Sequence, residues 1–313
     1  MKIFNDKKGY LTSIMLILLL IPLILLVIIT IEENNYNANN TIENIKSDKL
    51  DAVTKEFEDN MVLISIQSVH NITKDVLINK TPLKNSSKSI KELIQDQVNN
   101  KSEVYKSEGY IIDCEILEIS SSDDPFKLKL TYNINSKLIN DTRRYNKTNE
   151  VYLDLINEYY PVYDPLPVLK TNADVINDKI VYEDNLMNFI TLNNNDVYNN
   201  SIESCILKKC PYEDYSSHGH SKEAIINCIS NHYYHESHDG LCLLCRLEAK
   251  DTCPHMGLET FIVPTLIKDE APVSIDHVLL NSTHNGQYSG NKIILNNTTI
   301  IYLDNGHKTK YGL

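Results

Sequence analysis

Residues 10–31 read YLTSIMLILLLIPLILLVIITI, a run without a charge behind the basic stub MKIFNDKKG. A helix of this length rises about 33 Å, enough to cross a hydrocarbon core of about 30 Å. Lys7 and Lys8 precede the run; Glu32 and Glu33 follow it. Positive charge stays on the cytoplasmic side, so residue 32 onward is expected outside a cell membrane that the chain crosses once. Membrane lipid is then the first partner, with Tyr10, Pro22 and Ile31 in the span. A secretory signal would have a shorter apolar core and a small-residue cleavage site, so the run predicts a retained signal anchor. Pro22 removes one backbone bond and predicts a kink, which membranes tolerate when neighbours compensate.

Lys7-Lys8-Gly9 allows a second reading of the same segment. Basic residues and a glycine directly before an apolar helix resemble a type IV pilin signal. That resemblance implies a cut between Gly9 and Tyr10, with the helix kept as anchor and later as filament core. The chain departs from the major-subunit pattern at Ile14, where that family usually carries glutamate; minor pilin-like subunits tolerate the loss better.

The formal charge of −12 argues against nucleic acid as a partner and against a polybasic grip on anionic lipid. Abundant Asn, Ile, Lys and Tyr fit AT-rich codon usage. N-x-[ST] triplets beginning at Asn39, Asn71, Asn79, Asn85, Asn100, Asn140, Asn146, Asn199, Asn281, Asn296 and Asn297 fit a glycoprotein on the outer face.

Hydropathy patterning divides the chain. Residues 1–9 are a cytoplasmic stub or pilin-type leader, and 10–31 the transmembrane helix. Residues 32–41 contain NNYNANN and read as a linker or helix break. Residues 42–103 form a helical stalk, with apolar residues at helical spacing from Leu50 to Val76. TPLKNSSK is a turn, and Ser89 with Glu92 reads as a capping box opening a second helix. Residues 104–204 are mainly β: strands are expected at Tyr110–Ile119, Phe126–Ile134 and Val151–Leu155, with a Pro-rich wrapping loop at 159–167. Residues 205–260 are Cys/His-rich. Residues 261–313 read as a meander with strands at 274–280, 292–295 and 298–303, a turn at Asn296-Asn297 and a polar tail framing the sheet. The predicted class is α+β: an N-terminal transmembrane helix, amphipathic helices, and an antiparallel ectodomain with a Cys/His-rich insert.

Six of the seven cysteines and six of the ten histidines fall between Cys205 and His255. Cys242-Leu-Leu-Cys245 followed by Cys253-Pro-His255 resembles a zinc-knuckle half-site. Three readings stay open. The segment binds one or two structural zinc ions through Cys242, Cys245 and ligands from Cys253, His255, Cys228, Cys210 or Cys205. The six cysteines form three disulfides. A Cys–His pair is catalytic. His232, His235 and His238 would lie along one side of a helix, although HESHDG reads most simply as a polar turn. Cys114, alone on an alternating strand, is expected to be a small core residue. Asp164, Asp239, Asp304 and His307 sit in turn-like contexts and read as structural.

KKGYLTSIMLILLLIP, YDPLPVLK, YYHESHDGLCLLCRLE, CPHMGLETFIVP, SIDHVLL and IYLDNGHKTKYG together resemble membrane-anchored, pilin-like surface proteins of methanogenic archaea, a group with no assigned activity. The resemblance implies location and a pilin-like build only. The expected function is an outward-facing structural or interaction protein, a minor pilin-like subunit or adhesin, with other such subunits or cell-surface proteins as partners. The alternative is an anchored extracellular metal-dependent or thiol hydrolase centred on the Cys/His segment. No P-loop, dinucleotide fingerprint, G-x-S-x-G or H-E-x-x-H supports it; His235-Glu236-Ser237-His238 is one residue too short for the last.

Overall fold

The computed structural model describes residues 7–139, 141, 144–182, 186, 201–212, 219–238, 240–262, 274–280, 292–294, 300–303 and 305–313. It is a mixed helix and sheet structure. Helix α1 (Lys7–Asn79) is unbroken over 73 residues, a rise of about 110 Å. Residues 15–31 are exposed on every side. An 18-residue window there reaches a mean hydropathy of 3.0, so α1 is long and apolar enough to cross a membrane.

One expectation about α1 changes. The linker or break at 32–41 is helical throughout, while Pro22 lies inside the helix. The NNYNANN stretch contains neither Gly nor Pro, and Asn costs less than about 0.7 kcal/mol per position relative to Ala. Thr41 returns its hydroxyl to the Asn37 carbonyl (2.9 Å), so it too is satisfied inside the helix.

From Leu50 onward α1 acquires a buried face: Leu50, Phe57, Met61, Val69, Ile72 and Val76 repeat at helical spacing. That face and helix α2 (Ser86–Ser107) pack on a three-stranded antiparallel sheet ordered β1 (Tyr110–Ser121), β2 (Lys127–Leu138), β3 (Tyr145–Asp154). The alternating burial of β2 puts Leu128, Leu130, Tyr132 and Ile134 against the helices. Phe57 and Tyr105 meet edge to face at 5.4 Å. Polar contacts set the docking too. Thr54 Oγ1 lies 2.6 Å from Ser136 Oγ, and the Tyr132 hydroxyl donates to Glu58 (2.9 Å).

Helix α2 starts four residues earlier than the Ser89 box predicts. Asn85 is its N-cap, with Oδ1 accepting from the Lys88 N–H (2.9 Å). Gln95 of α2 then serves the edge of β1. It accepts from the Ile116 N–H (2.8 Å) and donates to the Cys114 carbonyl (2.9 Å), beside a register shift between Ile116 and Glu118. Cys114 is buried as expected, and burial pushes its thiol up to about 12.

Beyond the sheet the chain is built from short pieces. Helix α3 (Leu166–Thr171) follows the Pro-rich loop. Strands β4 (Asp174–Ile176), β5 (Lys179–Val181) and β6 (Ile202–Ser204) form a second antiparallel sheet. Next come α4 (Lys222–Asn231), β7 (Tyr234–Ser237), α5 (Leu243–Leu247) and β8 (Gly257–Thr260), with β7 and β8 antiparallel. The C-terminal part holds α6 (Ile275–Leu279), β9 (Lys292–Ile294), β10 (Ile300–Tyr302) and α7 (Asn305–Lys310).

Among the described residues the expected meander is a β9–β10 pair. The strand predicted at 274–280 is helix α6, and the tail is helix α7. Ile275, Val278 and Leu279 are all buried, so both positions i+3 and i+4 are used; a short apolar run fits either element until packing decides. The Asn296-Asn297 turn, Asp239 and Asp304 lie outside the described residues.

Among the described residues the hydrophobic interior falls into two clusters. The larger one runs from the α1–sheet interface through Leu243, Cys245, Leu247 and Leu258. The smaller one consists of Cys210, Ala224, Ile225, Cys228, Phe261, Leu303 and Tyr311.

Candidate metal centre

Two glycines bring the C-x-x-C turn onto the Cys-Pro-His turn. A Cβ on Gly240 would stand 2.1 Å from the Leu258 carbonyl oxygen, and one on Gly257 2.2 Å from the Gly240 carbonyl carbon. Only bare backbones approach this closely. The Leu258 N–H donates to the Leu241 carbonyl (3.0 Å) and fixes the crossing. Cys242 is the N-cap of α5, and the first turn of α5 places Cys245 beside it. After α5, Ala249 adopts φ 51° and the Lys250 N–H bonds back to the Cys245 carbonyl (3.1 Å). The chain so reverses toward Cys253 and His255.

The four side chains converge: Cys242, Cys245, Cys253 and His255 each offer a ligand atom within 4.8 Å of the others. Cys242 Sγ is 3.5 Å from both Cys253 Sγ and His255 Nδ1, and Cys253 Sγ is 3.3 Å from that nitrogen. Tetrahedral bonds of about 2.3 Å to sulfur and 2.0–2.1 Å to nitrogen place neighbouring ligand atoms about 3.5–3.8 Å apart. A disulfide would need about 2.05 Å. No disulfide joins any of the seven cysteines. The set can therefore hold a metal ion, and three sulfurs with one imidazole suit a borderline-soft ion.

The electrostatics of the bare ligands agree. Hydrogen bonds from Cys242 and Cys245, with the His255 N–H behind them, hold Cys253 far below the usual thiol range. Cys245 is pushed far above it, through its hydrogen bonds with Cys242 and Cys253 and then burial. A dication at this point would hold the crowded sulfurs as thiolates. The Ser121 hydroxyl donates to Cys242 Sγ (3.1 Å), so the end of β1 serves as an outer support. A Cys253–His255 pair alone would also suit nucleophilic chemistry, but two further thiols crowd the same sphere.

The remaining predicted ligands go elsewhere. Cys205 joins neither group; its thiol donates to the Asp178 carbonyl (3.1 Å), and burial raises it to about 12. Cys210 and Cys228 gather with His235 instead, again within 4.8 Å of one another. The three predicted histidines do not share a helix. His232 is the left-handed C-cap of α4 (φ 52°), His235 is buried on β7, and His238 follows β7. The polar-turn reading of HESHDG fails because Tyr234–Ser237 is a strand paired with β8, and His235 is buried against Phe261.

The residue after Cys245 escapes any motif. Arg246 is wholly buried between two carboxylates. Nε and Nη2 meet Asp164 at 2.7 and 2.5 Å, while Nη1 and Nη2 meet Asp276 at 2.6 and 3.2 Å. Nη1 also donates to the Leu258 carbonyl (2.8 Å). Asp164 keeps the capping role expected of it, accepting from the Leu166 N–H (3.0 Å). The only sequence signal was that Arg246 is one of three arginines in a lysine-rich chain; Arg suits a buried two-sided fork better than Lys. Nothing flagged Asp276.

The clamp and the ligand turn share one helix of five residues, so each holds the other in place. No family model, curated protein or solved structure matches this chain.

Proposed function

We propose that this chain is a single-pass, membrane-anchored structural or interaction protein of pilin-like build. Residue 32 onward faces outward, and a structural zinc ion at Cys242, Cys245, Cys253 and His255 holds the Cys/His module. The observation that carries the reading is α1: residues 15–31 are exposed and apolar, and the same unbroken helix lays one buried face on the body from Leu50 onward. Anchor and body are then one rigid element, which suits a subunit that presents a domain at a fixed distance from lipid. Zinc follows from the ligand set, since Cys3His is among the closed four-coordinate structural types.

Two measurements on the full-length chain test this reading. A C-terminal tag should be cut by protease added to intact cells; protection overturns the outward orientation. Mass spectrometry of the mature chain should find it starting at Met1 as a plain anchor or at Tyr10 as a processed pilin-like subunit. A start beyond Ile31 would make the run a removed signal and end the anchor reading. Gly9→Val should block the cut at Tyr10.

A further inference from the structure

The smaller of the two hydrophobic clusters holds the second group of ligands. Cys210 arrives on a segment laid against β7: the Cys210 N–H donates to the Tyr234 carbonyl (3.1 Å), and the Tyr234 N–H to the Lys208 carbonyl (2.8 Å). Cys228 lies on α4, whose C-cap N–H returns to the Cys228 carbonyl. His235 comes from β7. Cys228 Sγ stands 3.9 Å from Cys210 Sγ and 3.5 Å from His235 Nε2. These are again the separations of neighbouring ligands on one ion rather than of bonded sulfurs.

The packing around this group points the same way. Among the described residues this cluster buries Ala224, Ile225, Phe261, Leu303 and Tyr311 beside Cys210 and Cys228, with Ile229, Tyr233, Ile293 and Leu313 packed against it. The three ligands thus sit inside a packed apolar cluster separate from the larger core, where a bound ion is shielded from water. Cys210 and His235 also line a cleft of about 520 Å³, together with Asp124, Phe126, Lys209 and Glu236. Among the described residues no fourth Cys, His, Asp or Glu atom joins the three.

We propose that Cys210, Cys228 and His235 bind a second divalent ion of the zinc class, whose fourth coordination position opens to this cleft and accepts an exchangeable small ligand. Two thiolates and one imidazole with an open position differ in kind from the closed four-ligand site. The second ion then ties the Cys210 segment, α4 and β7 together and offers the cleft a Lewis-acidic point. The inference goes beyond the structural zinc at Cys242 and stands or falls separately from it.

The test uses the full-length chain in detergent, loaded with zinc and then with cobalt(II). Wild type should hold two equivalents, and Cys210→Ser and Cys242→Ser one each. With cobalt in the Cys242→Ser chain, azide should shift the visible bands; in Cys210→Ser it should leave them unchanged. A wild-type stoichiometry of one that Cys210→Ser does not lower overturns the second site. Bands indifferent to azide overturn its open position. Should either variant fail to fold, wild type alone decides: azide must shift part of its cobalt spectrum and leave the rest. Failure of the Cys242 site would instead appear as loss of the azide-insensitive part.

Discussion

Glu248, the C-cap of α5, accepts hydrogen bonds from both the N–H (2.8 Å) and the hydroxyl (2.7 Å) of Ser86, the first residue of α2. The two residues are 162 apart in the chain. The Leu83 N–H adds a bond to the Leu247 carbonyl (2.9 Å). The helix carrying Cys245 and Arg246 is thus fastened to the start of α2, and a carboxylate at a helix N-terminus also suits its dipole. Glu248→Ala should cost about 1–2 kcal/mol in denaturant unfolding. Glu248→Gln should lose less, because its amide oxygen still accepts. Equal losses from the two would show that the charge, not the hydrogen bonds, matters.

Metal removal should act on one part of the fold first. Structural zinc in small domains contributes on the order of 10 kcal/mol, while the α1–α2–sheet body has its own core. A strong chelator should therefore expose the segment around 240–260 to protease before β1–β3 are cut. Cys245→Ser should do the same without chelator. Reductant alone should do nothing, since no disulfide joins the cysteines. Cleavage provoked by reductant and not by chelator would replace the metal with disulfides.

Arg246→Met keeps the bulk of the side chain but leaves Asp164 and Asp276 buried and unpaired. Breaking one side of such a group costs about 3–5 kcal/mol. The variant should be severely destabilised, and Asp164→Asn with Asp276→Asn in the same chain should recover part of the loss. Additive losses in that triple variant would mean that the three residues do not act as one unit.

Asp276 gives the pH dependence. Burial lifts its carboxyl to about 6, against the pull of Arg246 and with Asp164 and Glu259 adding to the rise. A carboxyl raised in the folded state binds its proton more tightly there than in the unfolded chain. Its contribution to stability is therefore greatest below about pH 4, falls as pH rises to about 6, and stays level above. The span is on the order of 2–3 kcal/mol. Plotted against pH, the stability of wild type minus that of Asp276→Asn should fall across this window. A flat difference would place the charge on Asp276 throughout.

How legible the chain was depends on the range of the signal. The apolar run, the α1 stripe and the alternation of β1 and β2 are local patterns of period 3.6 or 2, and they survive folding. Cys242-x-x-Cys245 with Cys253-x-His255 is local too, and the chain reversal at Ala249 brings the four together. Cys210 and Cys228 could not be assigned, because their partner His235 is chosen by the β7–β8 pairing. Arg246 with Asp164 and Asp276 spans more than 100 residues and leaves no periodic trace. The short run 274–280 went to helix because burial on neighbouring faces outweighed a weak strand pattern. The NNYNANN break did not occur because propensity alone rarely stops a helix already nucleated on both sides.

Gly257 offers the sharpest test of how the ligands are assembled. Its lack of a side chain is used for space: an added methyl would sit 2.2 Å from the Gly240 carbonyl carbon and 2.6 Å from the Leu241 nitrogen, both backbone atoms that cannot rotate away. Gly257→Ala must therefore push the 240–242 and 255–258 segments apart, and Cys242 moves away from Cys253 and His255. A displacement near 1 Å exceeds what about 2.3 Å metal–sulfur bonds accommodate. The variant should bind zinc at least tenfold more weakly in competition with a chromogenic chelator. Gly240→Ala should do the same through the same contact, and the double variant should be no worse than the sum. By contrast, alanine at Gly109, where nothing lies within 4 Å but φ is +96°, should cost stability and leave zinc affinity unchanged. Unaltered zinc binding in Gly257→Ala would separate the ion from this backbone crossing.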